Sequence, residues 1–330
     1  MNCLIQAGLE KSAIFLLDKC PAELDVNASN RMGQSPLHLA ALQGMTNLTQ
    51  SLLASGCNPN LQTIFPGQDS SLPYRQTPLH LAIASKKFEV IHALLAFEYN
   101  SIKLDFDVKD SKGMTPLALS MSEQLYEVAT ELLQAGSNIN VADSDGNTLL
   151  HLALMDKNCD AVLFLLENGA DVNLRTKSNQ TCLEMAIKSN LSSAVEALCR
   201  LGADMCKSSG PDPPLWTALK TDQDLASVLV RYGVDTDSWS EGPDGCLQTL
   251  LHRAIDENEQ DLACFLIRCG CDLNSPRKAG LDGRGGDEAH DLASPLHLCC
   301  QWGLETVVLA LLEQGANKNS KVNLSSFILT

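Results

Sequence analysis

The chain has 330 residues, a net charge of −16, and 45% hydrophobic, 19% charged and 5% aromatic residues. Such a composition folds, and its acidity excludes a phosphate-binding surface, because nucleic-acid affinity rests on clustered Lys and Arg. The same charge argues against direct binding of this segment to an anionic membrane, and no apolar run reaches the roughly 18 residues that span a bilayer.

Residues 1–27 hold an apolar helical stretch, Ala13-Ile14-Phe15-Leu16-Leu17, that ends in Asp25-Val26-Asn27. It reads as the second helix of a partial repeat, and the ragged start is expected of a piece of a longer protein, since a true capping repeat has a polar outer face. The mixed charges of MNCLIQAGLEKSAIFLLDK do not make a signal peptide.

A tetrapeptide then recurs eight times: SPLH at Ser35, TPLH at Thr77, TPLA at Thr115, TLLH at Thr148, TCLE at Thr181, PPLW at Pro213, TLLH at Thr249 and SPLH at Ser294. The spacings are 42, 38, 33, 33, 32, 36 and 45 residues. Each start predicts a short helix, followed by a second apolar helix and a turn, as in FLLENGADVN at Phe164. A period near 33 and this tetrapeptide are the ankyrin signature. The predicted fold is therefore all-α, an ankyrin-repeat solenoid of helix-turn-helix repeats joined by β-hairpin-like loops. Residues 28–319 are expected to hold eight repeats, and residues 320–330 a non-repeat tail.

The chemistry of the tetrapeptide is structural. Ser or Thr accepts backbone N–H bonds at a helix start. Pro fits the first turn, where its missing donor is not needed. Leu points into the stack, and His has two ring nitrogens with which to bridge loops. His38, His80, His151, His252 and His297 all occupy that slot, so they read as structural histidines and no catalytic residue is assigned. The turn asparagines Asn140, Asn173 and Asn274 are expected to hydrogen-bond within their own loops. Leu166 is expected in the core.

Thirteen cysteines are scattered, with Cys182, Cys264 and Cys299 at apolar helix positions. They read as buried free thiols, and neither Cys269/Cys271 nor Cys299-Cys300 has the spacing of a structural zinc site. No metal and no cofactor is expected. Asp143-Ser144-Asp145-Gly146 lacks the further ligands of a calcium loop and reads as a turn.

Two insertions break the period, residues 61–75 and 275–293. Insertions in such arrays map to loops on one face. Gly280–Gly286 lacks the Gly-Lys-Ser/Thr of a phosphate loop and reads as a linker. After Asn319 the chain reads SKVNLSSFILT, too short for another helix pair. The last repeat is therefore expected to expose part of its stacking face, with fast amide exchange over Val307–Leu312.

Several stretches go beyond a generic repeat. DGCLQTLLHRAIDENEQDLACFLIRCGCDLNSPRKAG (Asp244–Gly280), NPNLQT (Asn58–Thr63), PPLWTAL at Pro213 and PLHLCCQWGLETV at Pro295 resemble the ankyrin region of the rabankyrin family. The resemblance covers roughly residues 2–319. It implies an early-endosomal adaptor in endocytosis and macropinocytosis that has a BTB domain, a long ankyrin array and a FYVE zinc finger, and that engages an active Rab GTPase. Neither the BTB domain nor the finger is in this sequence, so zinc and lipid binding do not carry over, and the resemblance implies a fragment or an incomplete gene product. The alternative is a generic cytosolic or nuclear ankyrin adaptor with no link to endosomes.

Both readings make the chain a non-enzymatic scaffold for protein partners. In ankyrin arrays the contact face is made of hairpin tips and the variable end of each first helix. Counted from each tetrapeptide, the candidate contact residues are Gln43, Ser85, Glu123, Asp156, Lys188, Asp256, Glu257 and Trp302, with Trp239 at a hairpin tip. Trp302 is the leading candidate, because Trp at a contact position often dominates interface energy; the competing reading packs it against a neighbouring helix or the insertion. Trp216 replaces the motif histidine and reads as packing.

Overall fold

The structure is a computed structural model that describes residues 1–20, 24–64, 74–97, 103–206, 209–210, 212–242, 246–278 and 293–320. The chain divides into two compact units, one of Met1–Leu152 with Asp160–Asp171, the other of Ala153–Cys159 with Val172–Thr330. The element order is α1 (Asn2–Gln6), α2 (Glu10–Lys19), α3 (Pro36–Gln43), α4 (Thr46–Ala54), α5 (Pro78–Ala84), α6 (Phe88–Leu95), α7 (Pro116–Ser122), α8 (Tyr126–Gln134), α9 (Leu149–Met155) and α10 (Cys159–Glu167). It continues with α11 (Cys182–Lys188), α12 (Ser192–Arg200), α13 (Pro214–Thr221), α14 (Gln223–Arg231), β1 (Trp239–Glu241), β2 (Leu247–Thr249), α15 (Leu250–Asp256), α16 (Gln260–Arg268), α17 (Pro295–Trp302) and α18 (Glu305–Glu313).

All eight tetrapeptides open a helix, α3, α5, α7, α9, α11, α13, α15 and α17. Ser35, Thr77, Thr115, Thr181, Thr249 and Ser294 are the N-cap residues of six of them. These first helices are short and buried almost all round: every residue from Pro36 to Ala41, and from Cys182 to Ile187, is buried. The second helices bury one stripe, such as Val128, Ala129 and Leu132 on α8, and Leu165 and Leu166 on α10. Each fully buried leucine contributes about 1.5–3 kcal/mol. Glycines follow the second helices where the chain turns into the left-handed region, as Gly169 does at φ +84°.

In the first unit, α1, α3, α5 and α7 pack side by side, as do α2, α4, α6 and α8. Residues 1–27 therefore hold more than a lone second helix, because α1 supplies a short first helix against α3, with Ile5 fully buried. In the second unit, α11 packs on α13 and α12 on α14, while α15 packs on α17 and α16 on α18. Its one small sheet among the described residues pairs β1 with β2 antiparallel, Trp239 opposite Thr249.

The turn asparagines do not stay within their own loops. Asn140 Oδ1 accepts the Asp171 N–H at 3.0 Å, Asn173 that of Asp204 at 2.8 Å, and Asn274 that of Asn317 at 2.7 Å. The residue two positions earlier makes the local bond instead: Asn138 accepts from Asn140 N–H, and Asp272 from Asn274 N–H, both at 2.9 Å. The rule is an Asx-x-Asx turn in which the first side chain closes the turn and the second holds the next turn. It recurs where Asn27 meets Asn58, Asn60 meets Asp105, Asp107 meets Asn138 and Asp237 meets Asp272.

Both insertions are pinned where the described residues enter and leave them. Thr63 N–H donates to Gln76 O at 2.9 Å and Arg75 N–H to Thr63 O at 3.0 Å. Arg277 N–H donates to Ala293 O at 3.1 Å, and Lys278 exchanges two backbone bonds with Leu247. The Gly280–Gly286 stretch and the tail beyond Ser320 lie outside the described residues. Leu309 and Leu312 on α18 are 61% and 42% exposed, which leaves apolar surface on the last helix pair.

Candidate functional site

The motif histidines serve their own helix starts through Nδ1, although among the described residues the Nε2 of His252 is buried without a hydrogen-bond partner. His38 is completely buried, and its Nδ1 accepts the Ser35 N–H at 3.1 Å and contacts Ser35 Oγ at 2.8 Å. Its Nε2 lies 3.0 Å from Gln76 O, and since a carbonyl only accepts, the ring is the neutral tautomer with its proton on Nε2. His80 repeats the arrangement with Thr77 and, at 3.0 Å, Met114 O. His151 and His252 make the same contacts with Thr148 and Thr249, and half-buried His297 lies 2.7 Å from Ser294 Oγ. Burial pushes the His38 and His252 imidazoles down to about 4 and lowers that of His80 as well. Glu184 fills the slot on α11; its Oε2 accepts the Thr181 N–H and its Oε1 that of Ser209.

None of the thirteen cysteines is in a disulfide. Burial pushes Cys57, Cys271 and Cys299 up to about 12, where little thiolate forms at neutral pH, while Cys3, Cys206 and Cys300 are exposed and do not fit the reading of buried thiols. Among the described residues no group of His, Cys, Asp or Glu is placed to hold a metal ion. Asp143 closes its own turn by accepting N–H bonds from Asp145 and Asn147, both at 2.8 Å.

The candidate contact residues all stand at first-helix ends, but they are not equally free. In the first unit Gln43 and Glu123 are exposed and Ser85 half-exposed. Glu123 pairs with Lys86 at 3.1 Å, so neighbouring helix ends are already in contact. In the second unit Asp156, Lys188 and Glu257 are exposed. Lys188 lines a cavity of about 220 Å³ with Glu184, Ser209, Asp212 and Thr217. Trp302 is 57% exposed at the end of α17.

Asp256 and Glu257 serve the fold. Asp256 forms an ion pair with Arg277, whose side chain is 5% exposed and also donates to Gln248 Oε1 at 2.8 Å. An unpaired guanidinium at that depth would be strongly destabilising, so Asp256 is a counter-ion first. Glu257 lies 2.8 Å from both Lys220 Nζ and Arg253 Nε. Partial burial disfavours its charge, yet hydrogen bonds from Lys220 and Arg253 hold its carboxyl below the usual range. Trp216 is 2% exposed and lies under Arg253, whose guanidinium carbon is 4.5 Å from the ring centroid. Trp239, 37% exposed on β1, has Lys278 Nζ 4.0 Å above its ring.

The motif reading does not reveal the pairings of Lys220, Arg253 and Arg277. Their partners Glu259, Asp212 and Gln248 lie 39, 41 and 29 positions away, so no local pattern announces them. The one available hint is an aromatic in a slot held elsewhere by His or Glu and, on α7, by Ala118.

Comparison with known proteins fits this geometry. Ankyrin-repeat family models match residues 61–143, 121–209, 183–277, 32–64 and 291–323. Rabankyrin-5 of Mus musculus is 45% identical over 346 residues, which covers 97% of this chain and 29% of that protein. Rabankyrin-5 of Homo sapiens is 46% identical over 344 residues with the same coverage. The chain thus spans less than a third of the length of these curated relatives, at 29%. The B-cell lymphoma 3 protein homolog of Mus musculus is 29% identical over 116 residues, 35% of this chain and 24% of that protein. Among solved structures, the ankyrin repeat domain of Bcl-3 superposes with a TM-score of 0.56 at 24% identity, over 68% of this chain and 95% of that one, a likeness of fold alone. With its helix pairs, its capped tetrapeptides and matches that run through most of its length, this chain belongs to the ankyrin-repeat family.

Proposed function

We propose that this chain is the protein-binding part of an early-endosomal adaptor that engages an active Rab GTPase and acts in endocytosis and macropinocytosis. Ankyrin repeats are a protein-interaction scaffold, and the finer reading rests on one observation, the 45% identity to Rabankyrin-5 across 97% of the chain. On this reading residues 28–319 are eight repeats and the partner lies across the first-helix ends. Trp302 is the anchor, because a large exposed aromatic at a helix end can bury most of its area in a complex. Lys188 supplies a free charge near a cavity. Gln43, Ser85, Glu123 and Asp156 are contact positions of lesser weight, and Asp256 and Glu257 support the fold. The scaffold is preorganised by its buried leucines and capped helices, so binding does not have to order it. Among the described residues no helix is long and apolar enough to cross a membrane.

The test is a pull-down of early-endosomal Rab GTPases, each loaded with GTP or GDP, on residues 1–330 and on the Trp302→Ala, Lys188→Glu variant. A Rab retained only in its GTP form by the wild type, and lost by the folded variant, supports the reading and its face. No retention in either nucleotide state overturns the Rab assignment for this segment.

A further inference from the structure

In the second unit the α13–α14 pair keeps the turn link from Asp237 to Asp272 but lacks several other side-chain ties that join regular pairs. The turn before it ends in Cys206, where Asn173 in the preceding turn and Asp237 and Asn274 in the following ones accept an N–H from the next turn. A thiol is a poor acceptor, and among the described residues no bond runs from Cys206 to Asp235. The first helix opens on Pro213, which makes no side-chain cap bond. Trp216 takes the slot from which the Nε2–H of His38 and His80 donates to the next cap loop; an indole has no acceptor nitrogen for its own cap, and among the described residues its N–H makes no bond to the next one.

Charge takes the place of those ties. Arg253 on α15 lies over Trp216 at 4.5 Å, with Nη1 2.6 Å from Asp212 and Nε 2.8 Å from Glu257. Lys220 on α13 is 5.3 Å from the same ring, 2.8 Å from Glu257 and 2.9 Å from Glu259. On the other side, Arg231 on α14 meets Glu196 on α12 at 3.1 Å, with side chains 62% and 49% exposed. Bonds between neutral buried groups respond little to salt. Partly exposed ion pairs are screened once the Debye length shrinks to about 3 Å near 1 M salt.

We propose that α13–α14 is a charge-latched hinge, the pair in the second unit that opens first, and that rising ionic strength loosens its seam with α15–α16. Opening there lets the flanking pairs α11–α12 and α15–α16 re-orient while each stays folded. The inference does not depend on which partner the chain binds.

Hydrogen–deuterium exchange of residues 1–330, read by mass spectrometry at about 0.05 M and about 1 M NaCl, tests it. At low salt the amides of Pro214–Arg231 are expected to exchange faster than those of α11–α12 and α15–α16, and high salt to speed them a further five- to tenfold or so while their neighbours hold. Arg253→Met should move the low-salt pattern toward the high-salt one and shrink the salt response to what the Lys220 and Arg231 pairs leave. Cys206→Asn should slow exchange in α13–α14 by restoring an acceptor. If Arg253→Met loosens the whole unit, Lys220→Met at a more exposed position serves for the same comparison. Equal protection of α13–α14 and its neighbours, an equal salt response in all helices, or a salt response undiminished in both Met variants would each overturn the hinge.

Discussion

The α5–α6 pair of the first unit and the α13–α14 pair of the second use the same two-helix plan, but different forces tie them to what comes next. On α5, Thr77 and His80 cap the helix together, and His80 reaches Met114 O, so one buried imidazole serves helix start and neighbouring loop. On α13, Pro213 and Trp216 occupy those places, and the tie becomes a guanidinium on an indole face with carboxylates around it. The first tie is dry, directional and indifferent to salt. The second is partly wet and open to screening. A repeat fold therefore tolerates loss of its signature histidine, to Ala118 on α7 as to Trp216 on α13, but the quality of the seam changes with the residue in the slot.

Truncating a core leucine in each unit has the largest expected effect. Leu132 on α8 and Leu229 on α14 are both fully buried. Leu132→Ala should cost about 2–5 kcal/mol in chemical denaturation. Leu229→Ala should sit at the low end of that range, because a loosely tied pair can relax around the gap. Equal losses would mean that α13–α14 is as firmly seated as the regular pairs.

Acid should separate the regions in the opposite sense to salt. The folded-state pKa of His38 and His252 is about 4, below the ordinary value of 6.5, and that of His80 is lowered too. The unfolded chain therefore binds protons first, and the stability these rings contribute is complete above about pH 6.5 and is lost as pH falls toward 4. Thermal melts should drop over that window. In exchange experiments at pH 5 and 7, corrected for intrinsic rates, α3 and α5 should lose protection while α13, which has no histidine, does not. A pH-independent melting curve would remove the argument.

A smaller effect belongs to the edge of the regular region. Gly33 has φ +72°, and a Cβ there would lie 2.3 Å from Ile64 N. Gly33→Ala must bear the left-handed penalty of about 1–2 kcal/mol and displace backbone as well, so a loss of about 2 kcal/mol or more in a denaturant melt is expected. The smallest pair concerns the turn links: Asn140→Ala should lose, and Cys206→Asn should gain, about 0.5–1.5 kcal/mol. A neutral result for both would reduce the links to decoration.

The parts of the fold legible in sequence are those written in local chemistry. Ser, Thr or Pro, then Leu, then His at fixed spacing marks a helix start because capping needs those groups within four residues, and each predicted start opens a helix. The helix α1 was hidden because NCLIQ carries no cap and only one turn of pattern. The ties between repeats were hidden for another reason. Asn140 in its turn looks the same whether it bonds its own loop or Asp171, which is 31 residues on, and only the stack decides. The candidate contact positions were readable as helix ends, but that Asp256 is the counter-ion of Arg277 depends on where residue 277 returns to the sheet edge, which spacing does not encode.

The pinned bases of the two insertions carry one more consequence. Thr63 and Gln76 close one neck, and Arg277 with Ala293 closes the other. The helices on either side are set by those necks and not by the length of chain between them. Lengthening such a loop twofold costs only about 0.6 kcal/mol in closure entropy. The repeat register and the loop content are thus separate variables, and each neck is a splice point at which foreign sequence, a tag or an epitope can be carried without re-engineering the helices that hold it.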